Sequence, residues 1–168
     1  LVRDCTEGFR LGMSDLTAPN QCSQAVSNNI VADLNVTSAD HSGTHIYLLP
    51  MSIWPYTAIT NNLHYQATGR ERFCVSFNLG IEQNYYSVAE LRAATPFGGG
   101  SVEGNPKFVN VGALDFHLGS GSPAIGAGTR DWAYDYFRQL YNTSIDYYQD
   151  GAPRSSRTFD IGPLPGPS

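Results

Sequence analysis

At 168 residues, 41% of them hydrophobic, the chain is long enough for one domain with its own buried core. Charged residues make up only 15%, against roughly 25% in an average soluble domain, and the formal net charge is −5. An acidic chain with one lysine, Lys107, and no arginine cluster argues against nucleic acid or anionic membrane as the main partner. No apolar run approaches the ~20 residues of a membrane helix, so no membrane span is expected.

Taken in order, residues 1–12 read as a strand, a bend at Gly8 and a second short strand. Strand-grade sequence that opens so abruptly predicts an uncovered end, and a start at Leu1 rather than Met predicts a mature, processed or partial chain. Residues 13–23 are polar, hold Pro19 and Asn20, and read as a loop. A disulfide between Cys5 and Cys22 would close a loop for which chain-entropy estimates give about 3 kcal/mol. Cys74 is left over, either a buried small hydrophobe or an intermolecular link. No Cys-x-x-Cys pair is present, so a zinc or redox site is not expected; with no phosphate loop and no metal-spaced histidines either, no metal and no cofactor are expected.

Two segments echo each other. Ala25-Val26-Ser27-Asn28-Asn29-Ile30-Val31 and Ala58-Ile59-Thr60-Asn61-Asn62-Leu63-His64 share the order apolar, polar, Asn, Asn, apolar, 33 residues apart. Asn tolerates left-handed backbone and can hydrogen-bond in ladders, so stacked parallel strands with these pairs at equivalent bends are predicted. Arg72-Phe73-Cys74-Val75-Ser76-Phe77 alternates as a half-buried strand does. Residues 87–95 predict a helix: Ser87 and Glu90 make a capping box, Val88, Leu91 and Ala94 share a face, and Pro96 stops it.

Residues 105–128 read Asn-Pro-Lys-Phe-Val-Asn, then Asp115-Phe116-His117-Leu118-Gly119-Ser120-Gly121-Ser122-Pro123-Ala124-Ile125-Gly126-Ala127-Gly128. Asp150-Gly151-Ala152-Pro153-Arg154 and Asp160-Ile161-Gly162 follow. This pattern resembles the C-terminal end of secreted right-handed parallel β-helix proteins of the pectin-lyase-like type, over residues 105–128 and 150–162. The resemblance implies an all-β fold, a short right-handed parallel β-helix (solenoid) of two to four coils with one short helix and C-terminal closing loops. Residues 1–128 would form the coils with decorating loops and the helix; residues 129–168 would form an aromatic-rich arm and the closing segment. It also implies an extracellular or cell-surface location, where the sequons at Asn35 and Asn142 permit N-glycosylation. Asp115, Asp150, Arg154, Arg157 and Asp160 would close the C-terminal turns.

Residues 131–148 are longer than that pattern requires and hold Trp132, Tyr134, Tyr136, Phe137, Tyr141, Tyr147 and Tyr148. The alternation of Trp132, Tyr134 and Tyr136 predicts a strand or extended arm. Clustered amphipathic rings suit a subunit interface or the face of a sugar. For catalysis, Asp33, Asp40, His41 and His45 are the candidates around one coil, with Asp15 or His64 from neighbours. They lack the signature of a paired-carboxylate, metal or nucleophile site.

Two function classes follow. The first is an extracellular structural or adhesive module that self-assembles head to tail, as in a filament or other homo-oligomer, and contacts polysaccharide. The second is the C-terminal part of a polysaccharide lyase or glycoside hydrolase whose active coils lie upstream.

Overall fold

The two asparagine pairs set the spacing of the strands. In the computed structural model, which describes residues 1–3, 7–11, 24–33, 43–48, 54–55, 57–67, 72–78, 81–154 and 159–167, Asn28 and Asn61 both turn the chain through left-handed backbone. Their φ angles are 58° and 50°, a region Asn enters at lower cost than most residues. Each bend joins two short strands: β3 (Gln24–Ser27) to β4 (Ile30–Ala32), and β6 (Thr57–Thr60) to β7 (Leu63–Tyr65).

The remaining strands are β1 (Val2–Arg3), β2 (Glu7–Leu11), β5 (Thr44–Leu48), β8 (Arg72–Asn78), β9 (Ile81–Tyr85), β10 (Val102–Glu103), β11 (Phe108–Asn110) and β12 (Asp115–Leu118). Among the described residues, β1 to β8 and β10 form three parallel ladders. β1, β4, β7 and β10 pair in that order, with Ile30 beside Leu63 and Leu63 beside Val102. β2, β5 and β8 pair likewise, with Phe9, Ile46 and Cys74 in one row. β3 lies on β6, Val26 against Ile59.

The bends stack as their strands do. The Asn28 N–H donates to the Asn61 carbonyl at 3.0 Å, and the Asn29 N–H to Asn62 Oδ1 at 3.0 Å. Asn62 is fully buried, and its Nδ2 donates to the Val26 carbonyl at 2.8 Å. A buried amide can stay inside only if its hydrogen bonds are made, and here the neighbouring bend makes them.

Gly8 does not bend the chain but runs within β2. A side chain there would collide with the His45 carbonyl and press on Val31. The helix is α1 (Val88–Ala94): Ser87 Oγ accepts the Glu90 N–H at 3.1 Å, and Glu90 Oε2 reaches back to the Tyr86 N–H at 2.7 Å. Val88 and Leu91 are buried, whereas Ala94 is exposed, so the helix face is narrower than its spacing predicts.

Two apolar clusters result. Val26, Ile46, Leu48, Ile59, Cys74, Leu91 and Phe97 form the first, with Trp54 edge-on to Phe97. Ile30, Ala32, Leu63, Leu118, Ala124 and Ile161 form the second. Alternation along β4 puts Ile30 and Ala32 on the opposite face from Val31. That face is covered by the C-terminal segment, whose Gly162 lies so close to Ile30 Cδ1 that a Cβ would sit 2.7 Å from it.

The expected fold, a short right-handed parallel β-helix (solenoid) with one helix, is corrected. The described strands make four separate small sheets, mixed as well as parallel, and none is closed or solenoid-like. β9 turns back antiparallel on β8, which ends parallel stacking on that ladder. β11 and β12 form their own antiparallel pair. A second helix, α2 (Trp132–Tyr141), stands where an extended arm was expected. The departures begin after Asn78: β8 and β10 still pair in parallel with β5 and β7, but the β8–β9 hairpin, α1 and the β11–β12 pair add antiparallel and helical elements.

Asn62→Ala should lower stability by about 2 kcal/mol, because it removes a buried amide and leaves the Val26 carbonyl and Asn29 N–H without that partner. Urea unfolding should show a lower midpoint with an unchanged slope; an unchanged midpoint would show that the amide ladder is not stabilising.

Candidate functional site

The aromatic segment folds as α2 because its ends are capped. Asp131 Oδ1 accepts the Ala133 N–H at 2.6 Å, and Asn142, at φ 51°, closes the last turn by donating its N–H to the Arg138 carbonyl at 2.9 Å. The alternation of Trp132, Tyr134 and Tyr136 pointed to a strand; the four-residue spacing of Trp132, Tyr136 and Leu140 was the signal to read. These three share one face, each slightly more than half exposed, and Tyr141 is 63% exposed. No side chain on α2 is buried.

The helix is nonetheless anchored. Tyr134 packs edge-on to Phe159 at 5.5 Å, and the Asp131 carboxylate is hydrogen-bonded to the Ser27 hydroxyl. Arg130 bridges Asp135 at 2.7 Å and Asp146 at 3.3 Å. Phe137 is half-buried against Tyr141, and Tyr147 is exposed. Tyr148 is buried: its hydroxyl accepts the Asp160 N–H at 3.0 Å, and the Arg154 guanidinium lies 4.2 Å over its ring. Tyr148 therefore serves the fold, and Trp132, Tyr136, Leu140 and Tyr141 form the surface.

Among the described residues, the acid–base candidates Asp33, His45 and His64 are not brought together at a surface. Asp15, Asp40 and His41 lie outside the described residues, as do Cys5, Cys22, Asn35 and Arg157. His45 and His64 are fully buried, with rings stacked at 5.2 Å and their Nδ1 atoms 3.0 Å apart. Phe73 stacks on both, at 5.0 and 5.1 Å. Burial lowers the pKa of His45 to about 3 and holds His64 well below its ordinary value, so both rings are neutral near pH 7. Burial likewise pushes the Cys74 thiol up to about 12, which leaves it a small core hydrophobe.

The C-terminal polar residues tie turns together. Asp160 accepts the Gly126 N–H at 2.7 Å and the Gly166 N–H at 2.9 Å. Arg154 donates to the carbonyls of Tyr147, Asp160 and Gly162. His117 bridges Asp115 at 2.6 Å and Asp150 at 3.5 Å, and its hydrogen bond to Asp115 raises its pKa. That clasp is made in full below the ordinary histidine value and fades as pH rises through the raised one.

Two clefts open among the described residues. One, of about 290 Å³, is lined by Asp33, Tyr65, Asn105, Lys107, Phe108 and Val111 among others. Asp33 Oδ1 accepts the Ala67 N–H at 2.9 Å, and Asn105 Nδ2 lies 3.4 Å from the Tyr65 hydroxyl. Asp33 is the one carboxylate in its lining, whereas glycoside hydrolysis uses a pair roughly 5–9.5 Å apart. The lyase or hydrolase reading draws no support from this cleft. The other, of about 410 Å³, is lined by Leu1, Leu114, Phe116, Gln149, Pro163 and Leu164.

Among the described residues no group of three acidic, cysteine or histidine side chains is placed to hold a metal ion, and no helix is long and apolar enough to cross a membrane. The chain matches no protein-family model, no curated protein and no solved structure, so the likeness to pectin-lyase-like C-terminal ends rests on the quoted motifs alone.

Stability should fall as pH drops below about 6.5. There the unfolded chain takes up protons at His45 and His64 that the folded chain refuses until about pH 3 for His45. Each histidine should contribute a slope of about 1.4 kcal/mol per pH unit. Urea unfolding between pH 7 and pH 4 should show this slope, and His64→Phe should reduce it by about one proton; a slope unaffected by the substitution would refute the assignment.

Proposed function

We propose that the chain is an extracellular structural or adhesive module that assembles with copies of itself head to tail, and that polysaccharide is its second partner. The observation that carries this is the state of the strand edges. Among the described residues the three parallel ladders end on the same side in β1, β2 and β3, each with one free edge. The other side differs in character: β9 runs antiparallel on β8, Gly99 bridges to Thr60 of β6, and the Glu103 carboxylate of β10 accepts the Val88 N–H of α1 at 2.6 Å. Free edges present unpaired backbone groups that invite another strand, and an asymmetric pair of ends favours stacking head to tail.

Sedimentation velocity at rising concentration should show species growing beyond the dimer. Ala25 is exposed on edge strand β3, and Ala25→Lys should suppress that growth with stability unchanged to within about 0.5 kcal/mol. An intact chain that stays monomeric at high concentration overturns the proposal.

The polysaccharide reading is supported by the smaller cleft, where the Tyr65 and Phe108 rings stand beside the amide of Asn105 and the carboxylate of Asp33. Ring faces suit the C–H face of a sugar, and amide and carboxylate groups suit its hydroxyls. Titration calorimetry with neutral and uronate oligosaccharides should detect binding, weakened about tenfold by Tyr65→Ala, a loss comparable with one stacked ring. Binding that is indifferent to this substitution would place the sugar elsewhere.

A further inference from the structure

We infer that Asn142 is an N-glycosylation site, and that the first sugar of its glycan lies against the ring of Tyr141 at the end of α2. This rests on the extracellular part of the reading above, and it names a modification that assembly does not require.

Asn142-Thr143-Ser144 places a hydroxyl residue two positions after the asparagine, the spacing at which secretory machinery attaches a glycan. The fold leaves that asparagine open. Asn142 ends α2, is exposed together with Thr143, and is held by its backbone alone: its N–H donates to the Arg138 carbonyl at 2.9 Å, and φ is 51°. Its side-chain amide has no hydrogen bond among the described residues. Asn28, Asn61 and Asn62 differ, because their amides hold the stacked bends and the segment over them. A glycan on Asn142 Nδ2 therefore displaces no contact of the fold.

The attachment is a group transfer whose donor is an oligosaccharide carried on a polyprenyl diphosphate. Nδ2 attacks the anomeric carbon, the new C–N bond forms as the C–O bond to the diphosphate breaks, and the lipid diphosphate leaves. Nδ2 gives up one proton, so the linked side chain keeps a single N–H and no charge.

The surroundings of the amide suit a sugar. Tyr141 directly precedes it and is 63% exposed, with its ring packed on Phe137 at 4.7 Å between centroids. Consecutive Cα atoms lie about 3.8 Å apart, which brings this ring within reach of the first sugar. A phenol face accepts the C–H face of a sugar while its hydroxyl stays in water. An exposed ring on a helix with no buried side chain thus gains cover from a group that the sequence itself places beside it.

The test uses the full chain secreted by cultured animal cells, with its glycans mapped by peptide mass spectrometry. The peptide holding Asn142 should carry an enzyme-removable glycan; Asn142→Gly should lack it and Ser144→Thr should keep it. Glycine suits left-handed backbone, so Asn142→Gly should fold as the unsubstituted chain does by circular dichroism. Removing the whole glycan should lower the melting temperature by about 2–4 °C, the shift that one stacked ring brings in a chain of this length. Trimming the glycan to its first sugar should leave the melting temperature unchanged. In Tyr141→Ala, whole removal should shift it by about half as much or less. A bare Asn142 peptide, even from a chain glycosylated at Asn35, overturns the inference, and so does a melting shift indifferent to Tyr141. Sedimentation of the same samples keeps the two readings apart: growth with a bare Asn142 leaves only the assembly standing, and a monomer glycosylated at Asn142 leaves only the site.

Discussion

A buried amide has to be satisfied by something, and in this chain Asn62 is satisfied by the bend stacked on it. Its carbonyl oxygen takes the Asn29 N–H and its NH₂ reaches the Val26 carbonyl, so two segments far apart in sequence are held in one register. Slipping that register by one residue would strand the amide in an apolar interior and reverse the faces of β4 and β7. Ile30 and Leu63 would then leave the surface that the C-terminal segment covers. The placement of that segment depends in turn on the first bend: Asn28 both donates to the Thr129 carbonyl and accepts its N–H, and the Asn28 carbonyl accepts the Gly162 N–H.

The C-terminal segment is thus a cover fitted to one sheet face. Leu118, Ala124 and Ile161 supply its apolar side, and Arg154, Asp160 and Tyr148 hold its turns to one another. Apart from this closure, Trp132, Tyr136, Leu140, Tyr141 and Leu114 are exposed apolar side chains, while the cleft of Asp33, Tyr65, Asn105 and Lys107 is polar as well as aromatic.

The histidines illustrate the same division. His45 and His64 attract attention in a sequence with few charged residues, yet the parallel ladders carry them inside, where Phe73 stacks on both. A neutral imidazole pair in the interior is a packing element with a polar contact. The ring nitrogens can exchange one hydrogen bond, and His64 Nε2 is buried with no partner among the described residues. That arrangement costs stability in acid and offers nothing to a substrate at the surface.

The sequence by itself determined the local chemistry. The Asn-Asn pairs announced stacked bends because Asn tolerates left-handed backbone; Ser87 and Glu90 announced α1 because capping is a contact across three residues; Asp160 and Arg154 read as turn-closing groups. It misjudged α2, where alternation and helical spacing coexist in Trp132 to Leu140 and the caps at Asp131 and Asn142 decided. It also misjudged the whole architecture, since the motifs at residues 105–128 gave no account of β9 turning antiparallel or of β11 and β12 pairing apart. Only the tertiary structure decided which side chains meet water. Burial is settled by contacts between residues distant in the chain: Phe73 against the histidines, Gly162 against Ile30, Phe159 against Tyr134. No local pattern encodes those contacts, and they alone separate the buried His45 and Tyr148 from the exposed Trp132 and Leu114.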